Sequence, residues 1–381
     1  MELNQHLDGL ALGGIRRFTA LAQERGDCIL LTLGEPEFDT PAPIRRACRD
    51  RGLSHYSDYR GSLPLRRAIS QFERRTRNLD YEPEEILITL GATEAIYTAL
   101  TGVLNPGDEV IIPTPAFSLY DTVARMAGAV PIAVDTAPTG FQLTAAALEA
   151  ALSPRTKVLV INSPNNPTGV IYTPENLQAI DRVLGDRPLF VLCDDVYWGL
   201  SPCLTFPQVS RRRDRILAVQ SFSKPYAMTG WRAGYLMAPQ PVLDRLAVLH
   251  SHCVTCAPAM VQAACLAALE WDPQEMVRAY ELRRAYVCRR LGEMGLPCVR
   301  PAGAFYVFPS IASLSMSSEE FCLRLIQEAG VAAVPGTVFG KEGFVRMSCC
   351  CSMETLQEAM DRLARFVRPV TTSDTKKGET P

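Results

Sequence analysis

From residue 86 onward the chain alternates short, unbroken apolar runs with longer amphipathic stretches. The runs cover 86–90, 110–113, 130–134, 158–162, 189–193, 216–221 and 233–238. They are rich in Ile, Val and Leu and lack polar alternation, the pattern of strands buried on both faces. Helix-length stretches such as 93–103, 119–126 and 174–184 separate most of them. That rhythm predicts an α/β class: a large domain with a mostly parallel seven-stranded sheet flanked by helices. Helical patterns follow at 242–249, 260–269 and 275–291. The chain then gives strand-like runs at 303–309, 331–335 and 344–348, a helix over 318–330 and a last helix over 353–367. These predict a smaller α+β domain. The segment before residue 86 adds a helix-like stretch from Phe18 and an extended run from Leu31 that breaks into a Gly/Pro loop. Beyond lie a helix over 41–51, a polar aromatic loop at 56–61 and an amphipathic helix over 63–77.

Length agrees with two domains, since 381 residues exceed what one core usually organises. The expected division is a large domain over 46–280, a small one from 1–45 with 281–370, and a disordered tail over 371–381. Net charge is −2 with acids and bases interspersed, which carries no nucleic-acid footprint and no anionic-membrane signal. No apolar run is long enough to span a bilayer. The thirteen cysteines are sparse for this length and, with no signal peptide read, point to reduced thiols in the cytoplasm. Cys253 and Cys256 have metal spacing, yet no second pair completes a site, and His250 and His252 read as helix or strand residues. No metal is expected.

Chemistry concentrates after the apolar runs, where open α/β sheets place their ligands. Run 86–90 leads into Gly91-Ala92-Thr93, a small-residue turn entering a helix; such a turn holds a phosphate, or is an ordinary helix start capped by Thr93. Run 189–193 leads into Asp194-Asp195-Val-Tyr197. A carboxylate there is costly without a cationic partner, although Asp195 also reads as a helix cap. Run 216–221 leads into Ser221-Phe-Ser-Lys224, and an amine in that apolar, hydrogen-bonding setting loses its proton cheaply and becomes a nucleophile. Arg232 offers a planar fork suited to phosphate. Arg346 stands amid apolar residues in Phe344-Val-Arg-Met-Ser348 and needs a carboxylate, from a substrate or from a structural ion pair. Phe117 and Tyr120 read equally as site or core residues.

The Ser-x-Ser-Lys224 run with Gly-Trp-Arg232 eight residues on resembles the cofactor segment of class I aminotransferases, which depend on pyridoxal 5′-phosphate (PLP). Asn162-Ser-Pro-Asn-Asn166-Pro-Thr-Gly169 is the most distinctive match. The resemblance runs in family order from Gly34 to Arg346 and implies fold type I. It implies that Lys224 holds PLP as a Schiff base and moves the α-proton, and that Asp194 pairs with the ring nitrogen. Asn166 and Tyr197 would bond the ring oxygen, and Phe117 would stack on the ring. Gly91, Ala92, Thr93, Ser221 and Arg232 would hold the phosphate, joined by Tyr56 from the partner subunit of a homodimer. Arg346 would clamp the substrate carboxylate, with Asn166 close by and the backbone near Gly34 covering it. The implied reaction is transamination between an L-amino acid and a 2-oxo acid, with 2-oxoglutarate as acceptor. Within the family, Gly14-Ile-Arg-Arg-Phe18 and Pro301-Ala-Gly-Ala-Phe-Tyr-Val-Phe-Pro are most similar to the bacterial aminotransferase A group. That similarity implies N-acetyl-LL-diaminopimelate, with aspartate or an aromatic amino acid as other donors. Two alternatives share the cofactor residues: a carbon–sulfur β-lyase, and a non-enzymatic PLP-sensing module, which would carry a DNA-binding extension not expected here. No motif assigns a second arginine to a distal carboxylate; Arg16, Arg17 and Arg60 are the candidates.

Overall fold

The computed structural model describes residue 5 and residues 13–49 and 53–367. The expected tail over 371–381 lies outside the described residues. All seven predicted strands are present in one sheet. Their spatial order is Ile86–Thr89, Gly234–Met237, Ile216–Ser221, Phe190–Asp194, Thr156–Asn162, Glu109–Thr114 and Val130–Asp135. Gly234–Met237 runs antiparallel to both neighbours, and the other six share one direction. Their carboxyl ends therefore meet along one edge, with Thr89, Asn162, Asp194 and Ser221 as last residues.

Alternate side chains of the central strands enter opposite cores, whereas the edge strand Val130–Asp135 packs only Ile132 and Val134, on one side. Ile86, Ile88, Leu159 and Ile161 pack on one face, and Leu87, Val158, Val160 and Leu192 on the other. Each such burial contributes about 1.5–3 kcal/mol, and both faces need it because helices cover both. This is why the apolar runs lack polar alternation.

The smaller sheet is antiparallel, in the order Val334–Pro335, Val345–Ser348, Tyr306–Val307. Here the expectation of one strand over 331–335 is corrected. Val331–Ala332 pairs with Ile29–Leu30, whereas Val334 pairs with Arg346, so the chain changes sheets across the buried Ala333. The expected helix over 318–330 is α-helical over Ser318–Arg324 and widens to a π-helical turn over Leu325–Ala329, ending at Gly330 with φ 64°. A short helix at Ala145–Ala151 was not foreseen. It is nearly all alanine, so it has no apolar periodicity, and its start is set by the Thr144 hydroxyl accepting from Ala147 N at 3.2 Å. Among the described residues no helix is long and apolar enough to cross a membrane.

Candidate active site

A cavity of about 230 Å³ opens at the carboxyl edge of the large sheet, against the smaller sheet, and Lys224, Asp194, Arg232 and Arg346 all line it. Lys224 reaches it because strand Ile216–Ser221 ends three residues earlier, in a turn. Its Nζ donates to Gly34 O at 2.6 Å. Burial lowers its pKa to about 8. The amine is therefore nucleophilic near neutral pH.

One end of the cavity suits a phosphate. Gly91 stands at the helix N-cap with φ 78° and ψ 173°, and no side chain caps helix Ala92–Val103. The capping reading for Thr93 is thereby corrected: the helix begins at Ala92, and its first N–H groups have no partner within the helix. Arg232 sits beside this turn at φ 56°, donating to Thr229 O at 2.9 Å and Leu90 O at 3.3 Å. A Cβ on Gly91 would come within 2.8 Å of Arg232 Nη2. Ser221 completes the group, its hydroxyl accepting from Ser223 N at 3.0 Å.

The middle is built around Asp194. Burial pushes its pKa up to about 6, against bonds from Tyr120 and Val196 N. Tyr120 is more than core: its hydroxyl donates to Asp194 at 2.5 Å, and Phe117 meets its ring edge-on at 6.1 Å. Asp195 is not a helix cap; it pairs with the fully buried Arg77. The two prolines fix the Asn loop, and Asn162 holds it by accepting from Asn166 N at 2.9 Å and donating to Asp194 O at 2.9 Å.

At the far end Arg346 is 1% exposed and donates to Asn166 Oδ1 at 3.0 Å and to Thr32 O. Tyr306 and Phe339 lie within 4.5 and 4.9 Å of its guanidinium. No carboxylate pairs with it among the described residues, and its Nε has no partner. This corrects the structural ion pair: the arginine is buried, held flat, and still short of an anion. Tyr306, absent from the sequence expectations, touches much of this end. Its hydroxyl lies 3.0 Å from that of Tyr197 and would be 2.1 Å from a Cβ on Gly34. No sequence spacing singles it out from neighbouring aromatic core residues.

Residues 26–363 match the family model for aminotransferases of class I and II. The chain belongs to that family. This aminotransferase is 40% identical over 375 residues, 96% of its own chain and 95% of the relative, to a probable N-acetyl-LL-diaminopimelate aminotransferase of Bacillus subtilis (strain 168). It is 38% identical to aromatic-amino-acid aminotransferase 2 of Thermococcus litoralis, over 97% and 99% of the two chains. The solved aspartate aminotransferase of Thermus thermophilus with maleate superposes with a TM-score of 0.91 at 35% identity, covering 96% of this chain and 99% of that one. The expected family and fold class are borne out, and the chain is a PLP-dependent enzyme of transamination.

The residues present fit PLP. A buried carboxylate with no cation on it among the described residues, a lysine of lowered pKa and an uncapped helix start beside an arginine face one space. Tyr56 is not brought into it; it is 86% exposed on a separate loop. The distal-charge candidates are not gathered there either: Arg17 pairs with Glu319, Arg60 with Asp244, and Arg16 is exposed. The thirteen cysteines are free thiols. Cys253 and Cys256 lie apart from the cavity at the end of helix Gln240–Val254, and the nearby His250 is buried against Glu94 at 3.1 Å. Among the described residues no three metal-ligating side chains stand together.

Proposed function

We propose that the cavity is a transamination site. Lys224, Asp194 and Tyr197 are its catalytic residues, and PLP lies between the Gly91-Ala92-Thr93 turn and Arg346. The observation that carries this reading is Arg346, buried and lacking an anion in the same space as the lysine and the aspartate. PLP, when bound, supplies an aldehyde carbon for amines and a cationic ring that draws electrons from the amine-bearing carbon. Asp194 keeps that cation in place and Tyr120 keeps Asp194 oriented. Asn166 and Tyr197 bond the ring oxygen, Phe117 flanks the ring, and Ser221, Arg232 and the helix start bind the phosphate. Arg346 fixes the substrate carboxylate and Asn166 fixes Arg346, so the α-carbon is held for proton removal by the Lys224 amine. Gly34 closes over the carboxylate, where Tyr306 leaves no room for a side chain.

The amino donor is N-acetyl-LL-diaminopimelate, aspartate or an aromatic amino acid, supported by the names of the relatives, and 2-oxoglutarate is the acceptor. The enzyme works as a cytoplasmic homodimer in which Tyr56 serves the neighbouring phosphate, supported by its exposure and its absence from the lining of its own cavity. Neither nucleic acid nor membrane is a partner, in keeping with a net charge of −2. Of the described residues, those within 46–280 form the large domain, and those within 1–45 and 281–370 the small one. Borohydride reduction of the PLP-loaded protein followed by peptide mapping tests the central assignment. The label is expected on Lys224, and Lys224→Ala is expected to abolish both label and turnover; a label on another lysine refutes it.

A further inference from the structure

Behind the cavity lies a fully buried ion cluster that the transamination reading leaves unused. Arg77, the last residue of helix Leu63–Arg77, donates to Glu73 at 3.0 Å, to Asp195, and to Thr205 Oγ1 at 2.8 Å. Its guanidinium lies 5.2 Å from the Trp198 ring. With its amide turned to satisfy both partners, Gln220 accepts from Arg77 at 2.7 Å and donates to Asp195 O at 3.0 Å. Tyr235 donates to Glu73 at 2.6 Å and closes the cluster. Side-chain exposure is 0% at Arg77 and Glu73 and 1% at Asp195.

The placement is what gives this cluster meaning. Asp195 directly follows Asp194, and Gln220 directly precedes Ser221. Asp194 and Ser221 line the cavity, while Gln220, facing the other way from Ser221 on the same strand, and Asp195, one residue past its strand, bond within the cluster. One planar fork thus grips the ends of two adjacent strands from behind. Those strands carry the residues assigned to the two ends of the cofactor, its ring and its phosphate. The cluster also sets local charge. Two carboxylates face one guanidinium, so removing Arg77 would leave both uncompensated a few residues from Asp194. Burial opposes the charge on Arg77, and Glu73 and Asp195 more than offset it. The other titratable groups that face Arg77 are Tyr235, Tyr81, Cys193 and Cys203.

We propose that Arg77 is a positioning residue for PLP: through Asp195 and Gln220 it fixes the spacing of Asp194 and Ser221 and compensates the charge behind Asp194. The proposal rests on the transamination reading. It differs from a purely structural ion pair in what it predicts for the bound cofactor.

The experiment compares Arg77→Met, Arg77→Lys and Asp195→Asn with Arg66→Met as control. Arg66 lies on the same helix, buried, and among the described residues its guanidinium bonds only Gly61 O and Pro83 O. PLP affinity is measured by equilibrium dialysis, the pH midpoint of the visible cofactor band by titration, and stability by thermal melting. Arg77→Met is expected to weaken PLP by about tenfold, the lower end of what supporting partners contribute at metal sites. Its midpoint should move to higher pH, because uncompensated carboxylates favour the protonated cofactor. Arg77→Lys restores the charge without the fork, so its midpoint returns toward wild type while affinity stays reduced. Asp195→Asn moves the midpoint the opposite way, to lower pH, and serves as the decisive variant if Arg77→Met does not fold. Arg66→Met lowers the melting temperature while leaving affinity and midpoint unchanged. Unmoved affinity and midpoint in the folded Arg77 and Asp195 variants overturn the proposal and leave the transamination reading standing. A wild-type protein that develops no visible band with PLP overturns both.

Discussion

Arg346 and Lys224 are opposite cases of a buried cation. A guanidinium keeps its proton in nearly any surroundings, so Arg346 must meet an anion or pay for burial; an ammonium escapes the cost by giving its proton up. Arg346→Ala is expected to weaken amino-acid substrates by about 2–5 kcal/mol in kcat/KM while PLP affinity holds, since it removes a carboxylate partner and no cofactor contact. Steady-state kinetics with several donors checks this, and an unchanged kcat/KM would return Arg346 to a structural role. For Lys224, burial holds the pKa at about 8, so capture of PLP by apo protein should accelerate with pH and level off above about 8. Stopped-flow recording of the visible band gives the midpoint. A midpoint near the ordinary lysine value of about 10.4 would mean that burial does not tune the amine.

At the scale of elements, the phosphate end depends on a helix start left uncapped. Gly91 occupies a backbone region that side chains avoid, at φ 78° and ψ 173°, and its missing Cβ leaves room for Arg232 Nη2 at 2.8 Å. Gly91→Ala should cost about 1–3 kcal/mol locally, as strained backbone does, and should push the guanidinium aside. Affinity for PLP should fall by about tenfold, or about 1.4 kcal/mol, while affinity for pyridoxal, which has no phosphate, should scarcely change. An equal loss for both ligands would separate this turn from phosphate binding. The strands contribute by ending together: Asn162, Asp194 and Ser221 are the last residues of three adjacent strands.

The whole molecule raises the question of a second copy. Tyr56 is 86% exposed, and the nearby Met260 is 50% exposed, along an open cleft of about 590 Å³ between residues 53–56 and 256–260. If Tyr56 serves the partner's phosphate, mixing Lys224→Ala with a weakened Tyr56→Phe variant and allowing subunits to exchange gives heterodimers with one intact site. Activity should rise above the mean of the two parents. Activity that stays at the mean, with exchange confirmed by mass spectrometry, would show that Tyr56 acts within its own subunit or not at all.

The α/β class and the strands of the large sheet were legible in the chain, because burial on both faces leaves an unbroken apolar run in the central strands. The edge strand Val130–Asp135 keeps the same β-branched character although it is only partly covered. Asp194 was legible for a related reason: a polar residue directly after such a run stands at the sheet's carboxyl edge. Lys224 follows another run by three residues, and Asn166 and Arg232 were marked by the family's motifs. Local pattern could not reveal what depends on distant partners. Val331–Pro335 reads as one strand, yet its halves pair with Ile29–Leu30 and Val345–Ser348, at opposite ends of the chain. Tyr120 and Tyr306 look like core aromatics, and only packing turns one hydroxyl to Asp194 and the other to Tyr197. Asp195 looked like a helix cap until Arg77, from a helix 118 residues earlier, reached it. Hydrophobic burial is written residue by residue, so the sequence alone carries the fold. Hydrogen bonds and ion pairs join atoms whose separation along the chain has no period, so their partners exist only once the chain has folded.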